Sequence, residues 1–231
     1  MIKKLSILIP CYNEKKTILE VINEVKKFKD YPKEIIIVDD GSADGTREIL
    51  KEIRDPEIEI LFQDKNYGKG YAISCGIKKC TGDITIIQDA DLEYNPKDYQ
   101  RLLEPFITAG ADVVFGSRFI GSTGYVRLHY YLHYVANKIL THFCNLFTNL
   151  NMTDMETGYK AFKTNLVKNL KLKEKSFGIE PELTVKLAKK KCIFYEVGIS
   201  YRGRSYDEGK KITFKDAFRA FYCIIRYRFL D

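Results

Sequence analysis

The sequence has no run of eighteen apolar residues, so no transmembrane helix is expected. Residues 1–5 lead directly into the first predicted strand, and we therefore expect no signal peptide. The six cysteines have none of the paired spacings that are typical of metal sites. Scattered thiols in a chain of this size favour a reducing compartment, which predicts a cytoplasmic protein.

Two common phosphate-binding motifs are also missing. The first predicted strand is not followed by the Gly-x-Gly-x-x-Gly pattern of dinucleotide-binding folds, and no Walker lysine motif occurs in the chain. A formal net charge of +7 is nevertheless compatible with a phosphorylated ligand, a nucleic acid or an anionic membrane surface. If the protein binds a nucleotide, the binding site must be of a different type.

What the chain does contain is an alternation of short apolar runs and helical patterns. Strands are predicted at 5–9, 34–38, 58–62, 84–87, 111–115 and 193–201. Helices are predicted at 15–29, 47–53, 71–78, 96–109, 128–149, 164–169, 181–190 and 213–229, and a polar turn or edge strand at 154–159. The alternation, at intervals of roughly 20–30 residues, predicts an α/β fold with a doubly wound, mostly parallel sheet and right-handed crossovers.

Carboxylates follow two of these strands at the point where each strand ends. Asp39 and Asp40 follow the second strand, and Asp89 and Asp91 follow the fourth. Open α/β sheets bind ligands outside the carboxyl ends of their strands. Side chains two residues apart in an extended segment point the same way, so Asp89 and Asp91 can face one divalent cation that carries a diphosphate. The alternative interpretation is that Asp89 begins a loop and Asp91 caps the next helix.

Four motifs in the first half of the chain occur in an order that resembles the family 2 glycosyltransferases. They lie at 6–14, 37–46, 66–70 and 89–91. The resemblance implies a GT-A fold, a Rossmann-like α/β architecture in which these segments bind a nucleotide-diphosphate sugar, here a GDP- or UDP-hexose. The residues assigned to donor binding are Pro10, Tyr12, Glu14, Asp39, Asp40, Lys69, Asp89, Ala90 and Asp91.

The resemblance also implies a metal ion, Mg²⁺ or Mn²⁺. Asp89 and Asp91 are its implied ligands, and Glu93 is a third candidate, either directly or through a water molecule. Archaeal relatives have a glutamine where this chain has Glu93. Because glutamate can also ligate a cation, this difference affects only the detailed coordination.

Motifs in the second half of the chain, at 116–118, 153–160, 177–182 and 201–205, resemble the dolichol-phosphate mannose synthase type within that family. This resemblance implies an inverting transfer of mannose or glucose to a polyprenyl phosphate, either dolichyl or undecaprenyl. The chain has no tryptophan, so it cannot carry the Gln-x-x-Arg-Trp motif of processive polysaccharide synthases. Its candidate catalytic residues are Asp91, Arg118 and Glu180.

An acceptor with a phosphate group requires cationic side chains, and a guanidinium fork matches phosphate oxygens. The alternative role of such residues is an ordinary salt bridge or a solvated charge. The candidate ligands of the acceptor phosphate are Arg118, Arg127, Arg202, Arg204, Lys210 and Lys211.

Two helical segments in the second half have an apolar face. In 128–149 that face consists of Leu128, Leu132, Val135, Ile139, Phe143 and Leu146. In 213–229 it consists of Phe214, Phe218, Phe221, Ile225 and Phe229. We expect these helices to lie in the interface of a membrane, on its cytoplasmic side, and packing on the sheet is the alternative.

The sequence therefore predicts a single GT-A catalytic domain over 1–231, with a nucleotide-sugar-binding half at 1–118 and an acceptor and membrane-interface half at 119–231. Two other functions stay open. One is a glycosyltransferase that acts on a sugar hydroxyl in surface polysaccharide or lipopolysaccharide assembly, and the other is a nucleotide-sugar-binding module without turnover. No nucleic acid partner is expected, because acids at the edge of the site would repel a phosphate backbone.

Overall fold

The computed structural model describes residues 2–121, 130–204 and 214–230, with the backbone alone for residues 214 and 215. Within these ranges, the strands are β1 (Leu5–Cys11), β2 (Lys33–Asp39), β3 (Ile58–Phe62), β4 (Ile84–Ile87), β5 (Val113–Ser117), β6 (Lys160–Lys163) and β7 (Phe194–Gly198). The helices are α1 (Ile18–Lys27), α2 (Thr46–Glu52), α3 (Lys69–Lys79), α4 (Tyr99–Thr108), α5 (Tyr131–Thr148), α6 (Thr164–Lys168), α7 (Ile179–Lys189) and α8 (Phe214–Phe229). Predicted residues outside the described ranges are Arg127, Leu128, Lys210 and Lys211.

The seven described strands pair in one sheet, in the order β3-β2-β1-β4-β6-β5-β7. β1 pairs in parallel with β2 and β4, and β5 pairs in parallel with β7. β6 is antiparallel to both of its neighbours, β4 and β5. The predicted α/β fold with a mostly parallel sheet is therefore confirmed.

The main difference from the expectation concerns β6. The sequence predicts a polar turn or an edge strand at 154–159, whereas the structure has a strand at Lys160–Lys163 in the interior of the sheet. Its first residue, Lys160, is fully buried, and its ammonium group donates to the main-chain oxygen of Met155 and to Glu180. A lysine at each end of a four-residue strand hides the apolar pattern that would identify a buried strand.

Helices cover both faces of the sheet, and each face has its own core. On β1, Ile7 and Ile9 belong to the cluster that contains α1 and α4, whereas Leu8 belongs to the opposite cluster with α3. α3 packs closely on β1 because residue 76 is glycine: a Cβ atom on Gly76 would lie 2.1 Å from the Leu8 side chain. Buried aliphatic side chains of this kind stabilise the fold by about 1.5–3 kcal/mol each.

One edge of this sheet gathers the polar loops. β1, β2, β4 and β5 run in the same direction, so their carboxyl ends meet there. β6 runs in the opposite direction, and its first residue pairs with Ile87 and Phe115 near the ends of β4 and β5. The segment 153–159, which precedes β6, therefore lies at the same edge as the acids that follow β2 and β4.

α5 and α8 pack against each other and against α7, and the three helices form one layer. The contact between α5 and α8 includes an edge-to-face pair of Phe143 and Phe221, whose ring centroids are 4.9 Å apart. No helix in the described part of the chain is long and apolar enough to cross a membrane.

Candidate functional site

A cavity of about 360 Å³ opens at the polar edge of the sheet, between the loops that follow β1, β2, β4 and β5 and the segment that precedes β6. Most of the residues that the sequence assigns to a site line this cavity. They are Pro10, Tyr12, Glu14, Asp40, Lys69, Asp89, Ala90, Asp91, Glu93, Arg118, Glu180 and Arg204. Residues predicted for four different roles thus meet in one place.

Asp39 and Arg202 do not line the cavity. Asp39 is fully buried, and its Oδ1 atom accepts a hydrogen bond from the backbone N–H of Ser42 in the turn after β2. Arg202 is exposed, and its backbone N–H donates to the main-chain oxygen of Glu93. These contacts belong to the loops around the cavity rather than to its lining.

Asp40 holds the glycine-containing loop that precedes α3. Its two carboxylate oxygens accept hydrogen bonds from the backbone N–H groups of Tyr67 and Gly68, at 2.9 and 2.7 Å. Gly68 has a φ of +101°, and a Cβ atom there would lie 2.3 Å from the main-chain oxygen of Lys175, so only glycine fits. Burial raises the pKa of Asp40, although the two N–H groups act in the opposite direction. The loop in turn places Lys69 at the start of α3.

Lys69 connects acids from two parts of the cavity. Its ammonium group lies 2.7 Å from Asp89 Oδ1 and 3.4 Å from Glu180 Oε1. Burial alone would lower the pKa of Lys69, but the negative charges of Asp89 and Glu180 outweigh burial and raise that pKa above its ordinary value. Glu180 Oε2 accepts a hydrogen bond of 2.5 Å from buried Lys160. Lysines therefore balance the charges of both Asp89 and Glu180.

Arg204 balances the other acids. Its guanidinium group donates to both oxygens of Glu14 at 3.1 Å and to Asp91 Oδ2 at 2.6 Å. Its backbone N–H donates to Glu93 at 2.7 Å. Burial, followed by the charges of Asp89 and Glu93, raises the pKa of Asp91 to about 7 against the opposing effect of Arg204. The raised pKa indicates that these carboxylates repel one another, and a cation bound between them would relieve that repulsion.

The acids do not form a complete metal site by themselves. Among the described residues, no three aspartate, glutamate, histidine or cysteine side chains converge closely enough to hold a cation. In sites that bind phosphorylated substrates, Mg²⁺ commonly takes only one or two protein carboxylates, and phosphate oxygens supply further ligands. Asp89 and Asp91, which both line the cavity, fit that arrangement.

Arg118, which directly follows β5, is fixed by Asp154. Oδ2 of Asp154 accepts hydrogen bonds from the backbone N–H and the Nε atom of Arg118, at 3.0 and 2.7 Å, and Oδ1 accepts one from Nη2 at 2.7 Å. The guanidinium group also lies over the ring of Tyr201, 5.1 Å from its centroid. Although burial opposes ionisation, the charge and hydrogen bonds of Arg118 lower the pKa of Asp154. The hydrogen bonds to the two carboxylate oxygens of Asp154 hold the guanidinium group of Arg118 in one orientation at the cavity.

Sequence reasoning missed two residues in the segment before β6. A Cβ atom on Gly158 would lie 2.3 Å from Asp89 Oδ2, so a glycine is required for Asp89 to occupy its place. Glu156 lines the same cavity, and its Oε1 atom is enclosed without a hydrogen-bond partner among the described residues. Burial, and then the charge of Glu180, raises the pKa of Glu156 to about 7. Both residues lie in the motif at 153–160, but the resemblance assigned a role to neither of them.

The raised pKa of Glu156 predicts that Glu156→Gln stabilises the protein at high pH. Between about pH 4.5 and pH 7 the folded protein keeps a proton on Glu156 that the unfolded chain has lost. The free energy of unfolding therefore falls as the pH rises through this window, and the glutamine variant lacks that dependence. In urea unfolding, we expect the variant to match the wild type at pH 5 and to exceed it by about 2 kcal/mol at pH 8.

Glu59→Gln is the control for this experiment. It changes a half-exposed carboxylate on β3 that pairs with Lys79 at 3.1 Å, so its effect should be small and similar at both pH values. If Glu156→Gln and the wild type were equally stable at pH 8, the account of a buried, protonated Glu156 would be wrong.

Known proteins resemble this chain over most of its length. The model of Glycosyl transferase family 2 matches residues 6–171. The chain is 28% identical over 214 residues to a dolichol-phosphate mannosyltransferase of Pyrococcus furiosus, covering 90% of this chain but only 60% of that protein. It is 31% identical over 224 residues to an uncharacterized protein of Methanocaldococcus jannaschii, covering 90% of this chain and 89% of that protein. The chain thus spans less than two thirds of the length of the mannosyltransferase.

Among solved structures, the chain resembles glucosyl-3-phosphoglycerate synthase from Mycobacterium tuberculosis. The complex with Mn²⁺, UDP and phosphoglyceric acid has a TM-score of 0.72 at 19% identity, and the match covers 99% of this chain and 80% of that one. The complex of the same enzyme with Mg²⁺ and UDP also has a TM-score of 0.72 at 19% identity, with 98% and 79% covered. At this level of identity the likeness establishes the fold, which is the GT-A fold expected from the sequence.

The family match covers well over half of the chain, and it includes the strand ends that carry Asp40, Asp89 and Asp91. These residues line one cavity, as the family motifs imply. Because this family consists of enzymes, the chain is assigned as an enzyme rather than as a nucleotide-sugar-binding module without turnover. The chain therefore belongs to the family 2 glycosyltransferases, enzymes that transfer a sugar from a nucleotide sugar.

Proposed function

We propose that this glycosyltransferase moves a hexose, mannose or glucose, from a GDP- or UDP-sugar to a polyprenyl phosphate at the surface of a membrane, with inversion at the anomeric carbon. The observation that carries the proposal is the orientation of α5. This helix supports the arginine at the cavity with polar side chains and leaves part of its apolar face exposed. An acceptor that carries a phosphate on a lipid requires both features close together.

The polar face of α5 points into the protein. Asn137 donates a hydrogen bond of 3.0 Å to Asp154, the residue that holds Arg118. Thr141 donates to the side-chain oxygen of Asn137 and accepts from the backbone N–H of Met155, both at 3.1 Å. Asn137 and Thr141 are buried on the same side of α5 as Leu140 and Cys144, so this side combines polar contacts with apolar packing.

The apolar face of α5 points outward. The side chains of Leu132, Ile139 and Leu146, spaced two helical turns apart, are 72%, 55% and 75% exposed. On the adjacent α8, Phe218 and Phe229 are 76% and 64% exposed. These five side chains are exposed, whereas Phe143 and Phe221 of the same two faces pack against each other. Large exposed apolar surfaces mark sites of interaction with a membrane or a protein.

The donor part of the proposal uses the acids of the cavity. Asp89 and Asp91 would hold Mg²⁺ or Mn²⁺, the ions bound with UDP in the solved synthase structures, and the ion would stabilise the charge of the departing nucleoside diphosphate. Arg204, which donates to Asp91, adds positive charge at the same place. The remaining proposed donor contacts are Pro10, Tyr12, Glu14, Asp40, Lys69 and Ala90.

The acceptor part of the proposal uses the two arginines of the cavity. Arg118 and Arg204 both line it, and their guanidinium groups suit the oxygens of a phosphate. A phosphate monoester is already anionic at neutral pH, so it can attack the anomeric carbon without strong help from a general base. A dedicated base, for which Asp91 and Glu180 are the candidates, is therefore not required.

Transfer of a labelled hexose to a short-chain polyprenyl phosphate in detergent tests the proposal. We expect a lipid-extractable product from which mild acid releases the sugar, because a glycosyl phosphate is labile to acid. Two comparison acceptors are an oligosaccharide and phosphoglyceric acid, which is present in several of the solved synthase complexes. Preferred transfer to either one, or a lipid product that survives mild acid, would overturn the proposed acceptor.

Replacing both Leu146 and Phe218 with aspartate should release the protein from membranes. Removing such a side chain from water contributes about 1.5–3 kcal/mol, and an added charge opposes insertion into the interface. We therefore expect binding to anionic phospholipid vesicles, measured by co-sedimentation, to fall by about tenfold or more.

Leu19→Asp is the matched control, because Leu19 is 49% exposed on α1. Its binding to vesicles should equal that of the wild type. Undiminished binding by the double variant would contradict the membrane role of α5 and α8. A wild type that sediments as a dimer, and a double variant that sediments as a monomer, would indicate that the apolar face joins two copies instead.

The two halves of the chain contribute to this function differently. We propose that residues 1–118 bind the nucleotide sugar and that residues 119–231 supply the acceptor site and the interface with the cytoplasmic face of a membrane. The position of β6, a strand of the second half that lies between β4 and β5 of the first, supports a single unit. They form one catalytic domain.

A further inference from the structure

Buried polar atoms that lack hydrogen bonds are concentrated at the cavity. Of four such side-chain atoms in the described part of the chain, three belong to residues that line it: Glu156 Oε1, Glu180 Oε1 and Arg204 Nε. By contrast, both oxygens of fully buried Glu182 accept hydrogen bonds from the backbone N–H of Lys173. Unsatisfied atoms around a cavity point to a ligand that supplies the missing partners.

We infer that Glu156 and Glu180 form the subsite for the transferred hexose, in which Glu156 Oε1 and Glu180 Oε1 accept hydrogen bonds from two of its hydroxyl groups. The inference rests on the proposed function and names the residues that choose the sugar. A hydroxyl group supplies the O–H donor that each oxygen lacks. A site built to pair with a hydroxyl rejects a sugar without it, because the buried carboxylate is then left unpaired.

The charges around Glu180 argue against other classes of ligand. Lys160 already donates to Glu180 Oε2, and the Lys69 ammonium group lies 3.4 Å from Oε1, so no further cation is needed to balance this acid. A phosphate group would need positive charge, and the lysines beside Glu180 are already paired with acids. A neutral molecule with several hydroxyl groups is the ligand that suits both residues.

The position of Glu180 also suits a sugar attached to a diphosphate. The Lys69 ammonium group lies between Asp89 and Glu180 and is 2.7 and 3.4 Å from one oxygen of each. Asp89 is proposed to lie beside the diphosphate of the donor. Glu180 lies on the other side of the Lys69 ammonium group, where the attached hexose would be placed. Glu156 lines the same cavity and is close enough to Glu180 for their charges to interact.

Glu156 is the better residue to change. Glu180 balances fully buried Lys160, so its replacement would disturb the fold. No described group donates to Glu156 Oε1, and an unpaired buried carboxylate costs stability. A residue that lowers the stability of the fold and lines a cavity is expected to be there because ligand binding requires it.

The test compares Glu156→Met, Glu156→Gln and the wild type by calorimetric titration with UDP, UDP-glucose, GDP and GDP-mannose in the presence of Mn²⁺. Methionine keeps the size of the side chain and removes its hydrogen bonding, whereas glutamine keeps an acceptor. We expect Glu156→Met to bind the nucleoside diphosphate as the wild type does and to bind the sugar nucleotide about tenfold to a hundredfold more weakly. Glutamine should restore part of the loss.

Donors in which one hydroxyl group of the hexose is replaced by hydrogen identify the hydroxyl group that Glu156 contacts. A donor that lacks the hydroxyl bound by Glu156 should bind equally to the wild type and to Glu156→Met. Equal weakening toward nucleoside diphosphates and sugar nucleotides, or no weakening, would overturn the inference and leave the proposed function intact. A wild type that binds none of the four nucleotides would instead overturn the proposed function, and the sugar subsite with it.

Discussion

Asp91→Asn should abolish sugar transfer and leave the protein folded. Asparagine removes the charge that faces Arg204 at 2.6 Å and that would hold the cation on the diphosphate. Its side-chain oxygen can still accept the hydrogen bond that Asp91 Oδ1 receives from the backbone N–H of Glu93. Losing metal-assisted stabilisation of the leaving group costs several kcal/mol, so we expect the transfer rate to fall by about 10³-fold or more. The measurement is the initial rate at saturating donor and Mn²⁺.

The melting temperature of Asp91→Asn should equal or exceed that of the wild type, because the variant relieves the crowding of Asp91 with Asp89 and Glu93. Asp30→Asn is the matched control. Asp30 is exposed, accepts a hydrogen bond from Gln100 and does not line the cavity, so this variant should keep full activity. A residual rate above about a tenth of the wild type in Asp91→Asn would contradict the role assigned to Asp91.

The acids of the site were predictable because their placement depends on a simple rule of the fold. Strands that alternate with helices run parallel, and parallel strands bring their carboxyl ends to one edge. Asp89 and Asp91 follow β4, Asp40 follows β2, and all three line the cavity. The rule does not distinguish between neighbours at a strand end. Asp39 is the last residue of β2 and points away from the cavity into the turn that follows.

The residues that were not predictable depend on contacts distant in sequence. Arg118 was predicted, but Asp154, which holds it from 36 positions later, was not, because no local pattern marks that pair. Glu156 reaches the cavity only because β6 is antiparallel and inserts between β4 and β5. The lysines at the two ends of β6 hide this strand from an analysis of the sequence. Hydrophobic periodicity shows that α5 has two different faces, but it does not say which face meets the protein. Hydrogen bonds from Asn137 decide that question.

Asp154→Ala should lower the free energy of unfolding by about 3–5 kcal/mol, because it breaks a buried ion pair on one side only. Asp154 is fully buried and accepts three hydrogen bonds from Arg118 and one from Asn137. Alanine leaves the guanidinium group of Arg118, which is only 15% exposed, without a carboxylate. Asn137 also loses its partner, so the attachment of α5 to the segment before β6 is weakened. Urea unfolding at pH 7 measures the loss.

Glu59→Ala is the matched control, because it removes a carboxylate from a pair with Lys79 in which both side chains are half exposed, and it should cost less than about 1 kcal/mol. The pKa of Asp154 is lowered in the folded protein, so its stabilising effect is complete above the ordinary aspartate pKa and is lost as the pH falls through the lowered value. The difference between the wild type and Asp154→Ala should therefore be full at pH 7 and shrink below about pH 4. A loss at pH 7 no larger than that of Glu59→Ala would mean that the fork between Asp154 and Arg118 contributes no more than a surface ion pair.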